Sequence, residues 1–378
     1  MYTTAAGRSQ SEWVGWIRDP QSEERRTVPL IGALPGEGIG PEVVGAALEA
    51  LRRLEDAGGT PVAVEFGGPI GKLAERETGT PLPDEALSFC RSVLARGGAV
   101  LSGPGGGRYV YDLRRRLELF IKVSPIQSQL GLSEASPLRA ESLEGVDMLI
   151  VRENLGGVYQ GDSTATATEG GGTLVEHRFS YAEPVVHRFL AAAARLAATR
   201  RGELAVVVKQ SGTPRLADLW RSVGAEVCGR EGVEVSFVDV DLMAYRLIAC
   251  PETFDVIAAP NLFGDILGDL AAVLLGSRGL SFGASYDLRG AGVYQTNHGA
   301  AYDIAGSGLA NPVGQILTLA AMLRESLAMG REAQALEEGV HRTLRNGGAT
   351  PDLGGELTTE EVAAGIGSAA AQALLAAQ

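Results

Sequence analysis

The stretch Phe254–Leu275, FDVIAAPNLFGDILGDLAAVLL, decides the fold class. Its first part is a short apolar run that stops at Pro260. Its second part carries apolar residues at helical spacing. A buried strand feeding directly into a helix is the repeating unit of an α/β sheet. Two aspartates, Asp265 and Asp269, interrupt this apolar segment four positions apart. Residues so spaced share a helix face, where like charges repel by about a few tenths of a kcal/mol. Two readings offset that cost. A hard divalent cation draws its ligands from carboxylate oxygens. Alternatively, Asp265 caps the helix N-terminus and Asp269 faces water.

The same unit recurs along the chain. Val28–Gly58 reads as strand, glycine loop and helix, with Val43, Val44, Ala47, Leu48 and Leu51 on a 3.6-residue period. Gly36, Gly38 and Gly40 lack the spacing of a dinucleotide fingerprint, so they are read as a tight strand-to-helix turn. Further strands are expected within AVLS (Ala99–Ser102), VDMLIVREN (Val146–Asn154) and ELAVVVKQS (Glu203–Ser211), and helices within Glu183–Arg201 and Gly314–Gly330. This alternation predicts an α/β fold with a mainly parallel central sheet. Ligands of such sheets gather at the carboxyl ends of strands. Arg152, Lys209 and Asp265 all fall at or just past such an end. Singly, Lys209 reads as a solvated strand end and Arg152 as an ion-pair partner.

The 378 residues are enough for two or three domains, and a 45% hydrophobic content supplies a large core. A net charge of −13 argues against nucleic acid as a partner, because phosphate binding needs a basic surface. It leaves room for a small anion in a local basic pocket. Cys90, Cys228 and Cys250 are isolated, with neither zinc nor disulfide spacing, which fits a reducing cytoplasm. Cys90 and Cys250 lie in apolar stretches and are expected in the core. Residues 1–27 read as a polar extension without a signal-type apolar run, with Trp13 and Trp16 as docking anchors. No run approaches the ~20 apolar residues that a membrane helix needs.

Five segments carry a resemblance. LPGEGIGPEVV, LIVRENLGGVYQGD, NLFGDILGDLAAVLLGSRGL, NHGAAYDIAGSGLANP and ATPDLGGELTTEEV resemble, in order, the landmarks of the isocitrate/3-isopropylmalate dehydrogenase family. These are metal-dependent β-decarboxylating dehydrogenases. The resemblance implies the two-domain fold of that family. Residues 28–120 plus 277–378 form a cofactor-binding domain. Residues 121–276 form a dimerisation and catalytic domain with an arm around 160–180. It implies a homodimer with shared active sites, a di- or tricarboxylate substrate, NAD and Mg²⁺ or Mn²⁺. Asp241 from the partner subunit joins Asp265 and Asp269 as metal ligands. Lys209, also from the partner, is the base, its pKa expected to be lowered by desolvation beside the cation. Tyr159 is the acid that protonates the product carbon. In the cofactor loop, His298, Gly299 and Asn311 hold the adenine end. Asp303, followed by Ile304, accepts the ribose hydroxyls and favours NAD over NADP by repelling a ribose phosphate.

The pattern breaks at the substrate carboxylates. Three arginines normally clamp them; Arg114 and Arg152 remain, but Ser124 stands at the third position. Lys122, two residues earlier on a predicted strand, shares the face of Ser124. Either it restores the missing charge as a point charge without a guanidinium fork, or it makes a structural ion pair. Val110 and Tyr111 replace the leucines expected beside an isopropyl group, so the resemblance implies a 3-substituted malate with an undetermined C3 group. Glu37 stands where the family has aspartate, and Tyr302 replaces a common proline. Two alternatives stay open: a binding or regulatory subunit without turnover, and a non-decarboxylating tartrate-like dehydrogenase.

Overall fold

The computed structural model describes residues 13–18, 28–127 and 136–377. The strands are β1 (Leu30–Leu34), β2 (Ala63–Phe66), β3 (Ala99–Ser102), β4 (Ile121–Gln127), β5 (Asp147–Glu153), β6 (Asp162–Ala167), β7 (Thr173–Arg178), β8 (Glu203–Val208), β9 (Glu234–Asp239), β10 (Val256–Ala259), β11 (Phe282–Tyr286) and β12 (Gly292–Thr296). The helices are α1 (Trp13–Ile17), α2 (Gly40–Asp56), α3 (Lys72–Thr78), α4 (Asp84–Ala95), α5 (Tyr109–Arg116), α6 (Glu183–Ala198), α7 (Pro214–Glu231), α8 (Val240–Ala249), α9 (Asn261–Ala271), α10 (Val313–Glu325), α11 (Gly330–Arg345) and α12 (Thr359–Ala376).

Ten strands form one sheet in the order β2-β1-β3-β12-β11-β4-β5-β10-β8-β9. The mainly parallel sheet is present, as two parallel blocks of opposite sense. One comprises β2, β1, β3 and β12; the other comprises β5, β10, β8 and β9. They meet through antiparallel pairing of β12 with β11, β11 with β4, and β4 with β5. The expected domain boundary at 120/121 therefore falls at the start of β4, on this antiparallel seam. Strands at the seam are buried on both faces, so their sequences need no alternation. In β4 even Lys122 and Ser124 are buried.

Local sequence explains the helices that frame the seam. Pro41 in the first turn of α2 fits a position where no N–H is required, and Val43, Val44, Ala47, Leu51 and Leu54 are buried on one face. The α12 helix opens with a capping box between Thr358 and Glu361. The α10 helix is apolar nearly all round because it is central. The glycine loop before α2 is tight for a visible reason. Gly36 and Gly38 have φ of 77° and 62°, and a Cβ on Gly38 would lie 2.0 Å from the Ala300 carbonyl oxygen.

Some expectations fail at the periphery. Most of the N-terminal extension lies outside the described residues. Within α1 the anchor is Ile17, fully buried, together with the partly buried Trp13, while Trp16 remains 42% exposed. The three-residue spacing of the tryptophans covers one face only in part, and Ile17 takes its centre. Cys90 and Cys228 are buried, whereas Cys250 is half-exposed because it follows the end of α8. No helix among the described residues is long and apolar enough to cross a membrane.

Candidate active site

Antiparallel pairing fixes the centre of the site. Lys122 on β4 sits directly opposite Arg152 on β5. Directly opposed residues project to the same face at close range, and like charges there are destabilising. Both are nevertheless buried, at 7% and 4% exposure, and Arg114 at the end of α5 is 3% exposed. Burial, then Arg114 and Arg152, hold the Lys122 amine well below its ordinary pKa. Burial and Arg152 likewise pull Arg114 down. Three cations thus crowd one buried locus.

The counter-charge comes from α9. Asp265 ion-pairs with Arg152 and accepts the Tyr159 hydroxyl at 2.8 Å. Burial pushes its carboxyl up, but Arg152, Tyr159, Lys122 and Arg114 together outweigh burial and leave it lowered. Burial and the bond to Asp265 push the Tyr159 phenol up, so it stays protonated. Asp265 lies within α9, whose N-cap position is Pro260, so the capping alternative does not hold. Asp269, one turn on, is exposed and pairs with Arg278 at 2.8 Å. Lys122, Ser124, Arg152, Asp265 and Asp269 line one cavity of about 30 Å³. That volume holds about two waters within the single chain.

The two alternatives for Lys122 separate. No ion pair or hydrogen bond involves its amine among the described residues, and the amine faces Asp265 and Asp269 from within the cavity wall. The Ser124 hydroxyl accepts from Asn297 Nδ2 at 3.3 Å. Asn297 also lines the cavity and was missed from sequence, although it opens the motif NHGAAYD. Asn261 was missed as well. Its Oδ1 accepts from Arg152 Nε at 3.1 Å and Nη2 at 2.8 Å, fixing the guanidinium plane. Glu153, beside Arg152 and fully buried, escaped notice too; burial pushes its carboxyl up to about 7 against the Leu155 and Gly156 N–H groups.

Other predicted residues sit further out. Tyr111 packs on Tyr159 with ring centroids 4.7 Å apart, and the Arg108 guanidinium lies 5.5 Å from the Tyr111 ring. Val110 instead packs against the small core cluster around Leu113 and Val293. Lys209 and Asp241 do not line the cavity. They pair with each other at 2.6 Å at the ends of β8 and β9, and Asp239 lies 3.6 Å from the amine. The lowered pKa expected for Lys209 is not found within one chain: the bond to Asp241 raises it. Desolvation opposes this, but Asp241 and Asp239 beside the amine outweigh it.

The loop expected to hold a cofactor runs from His298 to Asn311. His298 Nδ1 contacts the Gly299 carbonyl at 3.0 Å, while its Nε2 is buried without a partner among the described residues. Burial lowers the imidazole pKa, leaving a neutral ring with an open nitrogen. Asp303 is exposed, and Ile304 packs on Ile39 and Val43. The Asn311 side chain is committed, donating to Asp352 at 3.0 Å and accepting from the Val313 N–H at 2.9 Å. Two departures compensate each other: the Tyr302 hydroxyl donates to Glu37 at 2.6 Å. Glu37 also accepts the Lys72 and Leu73 N–H groups at 2.9 Å each and that of Gly106 at 2.5 Å, tying three loops together.

An α/β sheet with buried cations beside a carboxylate pair defines an enzyme-like site for a small anion. The sequence profile of the isocitrate/isopropylmalate dehydrogenase family matches residues 30–366, and the chain belongs to that family. It is accordingly an oxidoreductase of the decarboxylating-dehydrogenase type. It is 38% identical over 337 residues to a 3-isopropylmalate dehydrogenase of Heyndrickxia coagulans, covering 85% of this chain and 90% of that one. It is 36% identical over 348 residues to a 3-isopropylmalate dehydrogenase of Anaeromyxobacter dehalogenans, covering 88% and 97%. The structure superposes on isocitrate dehydrogenase from Methylococcus capsulatus with a TM-score of 0.79 at 29% identity, covering 91% of this chain and 99% of that one. A β-decarboxylating dehydrogenase from Thermococcus kodakarensis gives 0.70 at 30% identity, covering 90% and 96%.

Proposed function

We propose that this protein oxidises and decarboxylates a 3-substituted malate as a homodimer, with NAD and Mg²⁺ or Mn²⁺. One observation carries the reading: Arg114, Lys122 and Arg152 are buried together, and among the described residues the carboxylate paired among them is Asp265 alone. Excess buried positive charge is costly unless an anion arrives. A substrate with two carboxylates supplies that charge, and its arrival frees Asp265 from Arg152.

The donor set fits a hard cation. Asp265 and Asp269 offer oxygen from one helix face, with no thiol or imidazole in the cavity wall. One chain alone holds no cluster of three ligating groups among the described residues. Asp241 of the partner subunit completes the set. Each of the three aspartates is ion-paired to Arg152, Arg278 or Lys209. The Arg278 and Lys209 pairs are largely exposed, hence weak, and yield to a divalent ion, while the buried Arg152 exchanges Asp265 for a substrate carboxylate. When bound, the cation polarises the substrate oxygens as a Lewis acid, and NAD accepts hydride. The open Nε2 of His298 and the exposed Asp303 suit an adenosine moiety.

The chain's own groups then divide the work. Arg114, Lys122 and Arg152 orient the carboxylates. Once Asp241 turns to the cation, Lys209 loses its main charge partner, its pKa falls, and Nζ takes the hydroxyl proton. CO₂ leaves, and the Tyr159 hydroxyl delivers a proton to C3. Tyr111, where a leucine is expected, packs on Tyr159 with Arg108 against its ring, which favours a C3 group other than plain isopropyl. The exposed β6–β7 hairpin supports dimerisation, since a lone two-stranded hairpin is marginal in water and it shows Leu174 and Val175 to solvent.

NADH formation measured with Mg²⁺ or Mn²⁺ across a panel of 3-alkyl, 3-carboxyalkyl and 3-aryl malates tests this. Turnover on one of them is expected. Folded protein silent on the whole panel, yet binding such acids, would instead support the non-catalytic reading that Ser124 favours. Turnover of tartrate without CO₂ release would support the non-decarboxylating one.

A further inference from the structure

A second cavity lies away from the proposed active site. It is a groove of about 810 Å³ between the ends of α4 and α5, the side of α6 and the β11–β12 turn. That volume falls within the range of small-molecule sites. Its wall carries five arginines, Arg91, Arg115, Arg116, Arg188 and Arg289, against two acids, Glu118 and Asp287. This is a local excess of positive charge in a chain whose net charge is −13.

Ordinary structural duties account for part of it. Arg115 and Arg116 stand in the last turn of α5, where cations offset the helix dipole. Arg91 donates to the Arg116 carbonyl at 3.1 Å. Arg289 and Asp287 satisfy each other at 3.2 Å. The remainder is unexplained. Arg115 makes no side-chain hydrogen bond or ion pair among the described residues. Among the described residues Arg116 pairs only with Asp84, whose side chain is 85% exposed, so that pair is weak. Arg188 arrives from a different element, its guanidinium 5.3 Å from the Phe120 ring and its Nε buried without a hydrogen-bond partner. Forked guanidinium donors match phosphate oxygens in pairs. Leu94, Leu117 and Leu288 give the same groove an apolar wall.

We propose that this groove is a second ligand site, for a polyphosphate either free or carried on a nucleoside. The test is calorimetric titration of inorganic triphosphate and of ADP into the full-length protein in metal-free buffer with saturating NAD. Saturable binding at one site per chain is expected. The double variant Arg115→Glu/Arg289→Glu should weaken it at least tenfold while its melting temperature and NADH formation stay unchanged. Equal affinity for the two probes supports recognition of the phosphates alone, and tighter ADP binding supports a nucleoside against the leucine wall. No saturable binding up to about 5 mM under saturating NAD, or unchanged affinity in the double variant, would each overturn the proposal.

Discussion

At the residue scale, Lys122 carries the most tension. A buried amine faces a buried guanidinium across a strand pair, with a second guanidinium nearby. Removing a buried excess cation relieves repulsion. Lys122→Met should therefore stabilise the ligand-free protein by about 1 kcal/mol or more. It should also cost about 2–4 kcal/mol of transition-state binding, roughly 30- to 1000-fold in kcat/KM. Thermal melts and kinetics on the same sample check both signs. A variant that loses stability and keeps its activity would mean the amine serves the fold. Glu153 gives a second prediction. Burial holds its carboxyl at about 7, above an unfolded value near 4.3. The native state then binds more protons than the unfolded chain between those values. The stabilisation is complete below the unfolded pKa and is lost as pH rises through about 7. The loss is about 4 kcal/mol. Urea melts from pH 4.5 to 8 should show that decline, and Glu153→Gln should flatten it.

At the element scale, α9 must lie close to β5 for Asp265 to reach Arg152. Gly264 permits this, because a Cβ there would meet Arg152 Cβ and Cγ at 2.9 Å. Gly264→Ala should cost about 1–3 kcal/mol by overpacking. Because the displaced atoms belong to Arg152, kcat/KM should fall further than the stability loss explains; an active variant with only a lowered Tm would deny α9 this positioning role. The strand β4 shows how much an element can be read from pattern alone. Its two-residue period put Lys122 and Ser124 on one face from sequence, and both line the same cavity. The partner of Ser124 was not legible, since Asn297 lies 173 residues away, just past β12, and reaches it through the β12–β11 and β11–β4 ladders.

At the scale of the whole molecule, one chain holds two halves of a proposed site that do not meet. Asp265 lines the cavity with Tyr159 bonded to it, while Lys209 and Asp241 pair elsewhere. If two copies complete each other's sites, Lys209→Ala and Tyr159→Phe proteins are each inactive alone. Unfolded together and refolded in equal amounts, they form heterodimers that each contain one intact site. Activity should recover to roughly a quarter of the unmutated protein's under random twofold pairing. Absence of recovery in a mixture shown to contain heterodimers would place each site within one chain.

Sequence by itself determined the alternation of strands and helices, the family, and the residue types available for chemistry. Those follow from local periodicity and from motifs contiguous in the chain. Only the tertiary structure decided which charges meet. The Arg152–Asp265 pair, the Lys122–Arg152 opposition and the Glu37–Tyr302 bond join residues far apart in sequence. Their balance depends on strand register and burial, because the energy of a charge is set by its distance to other charges and to water rather than by its neighbours in the chain.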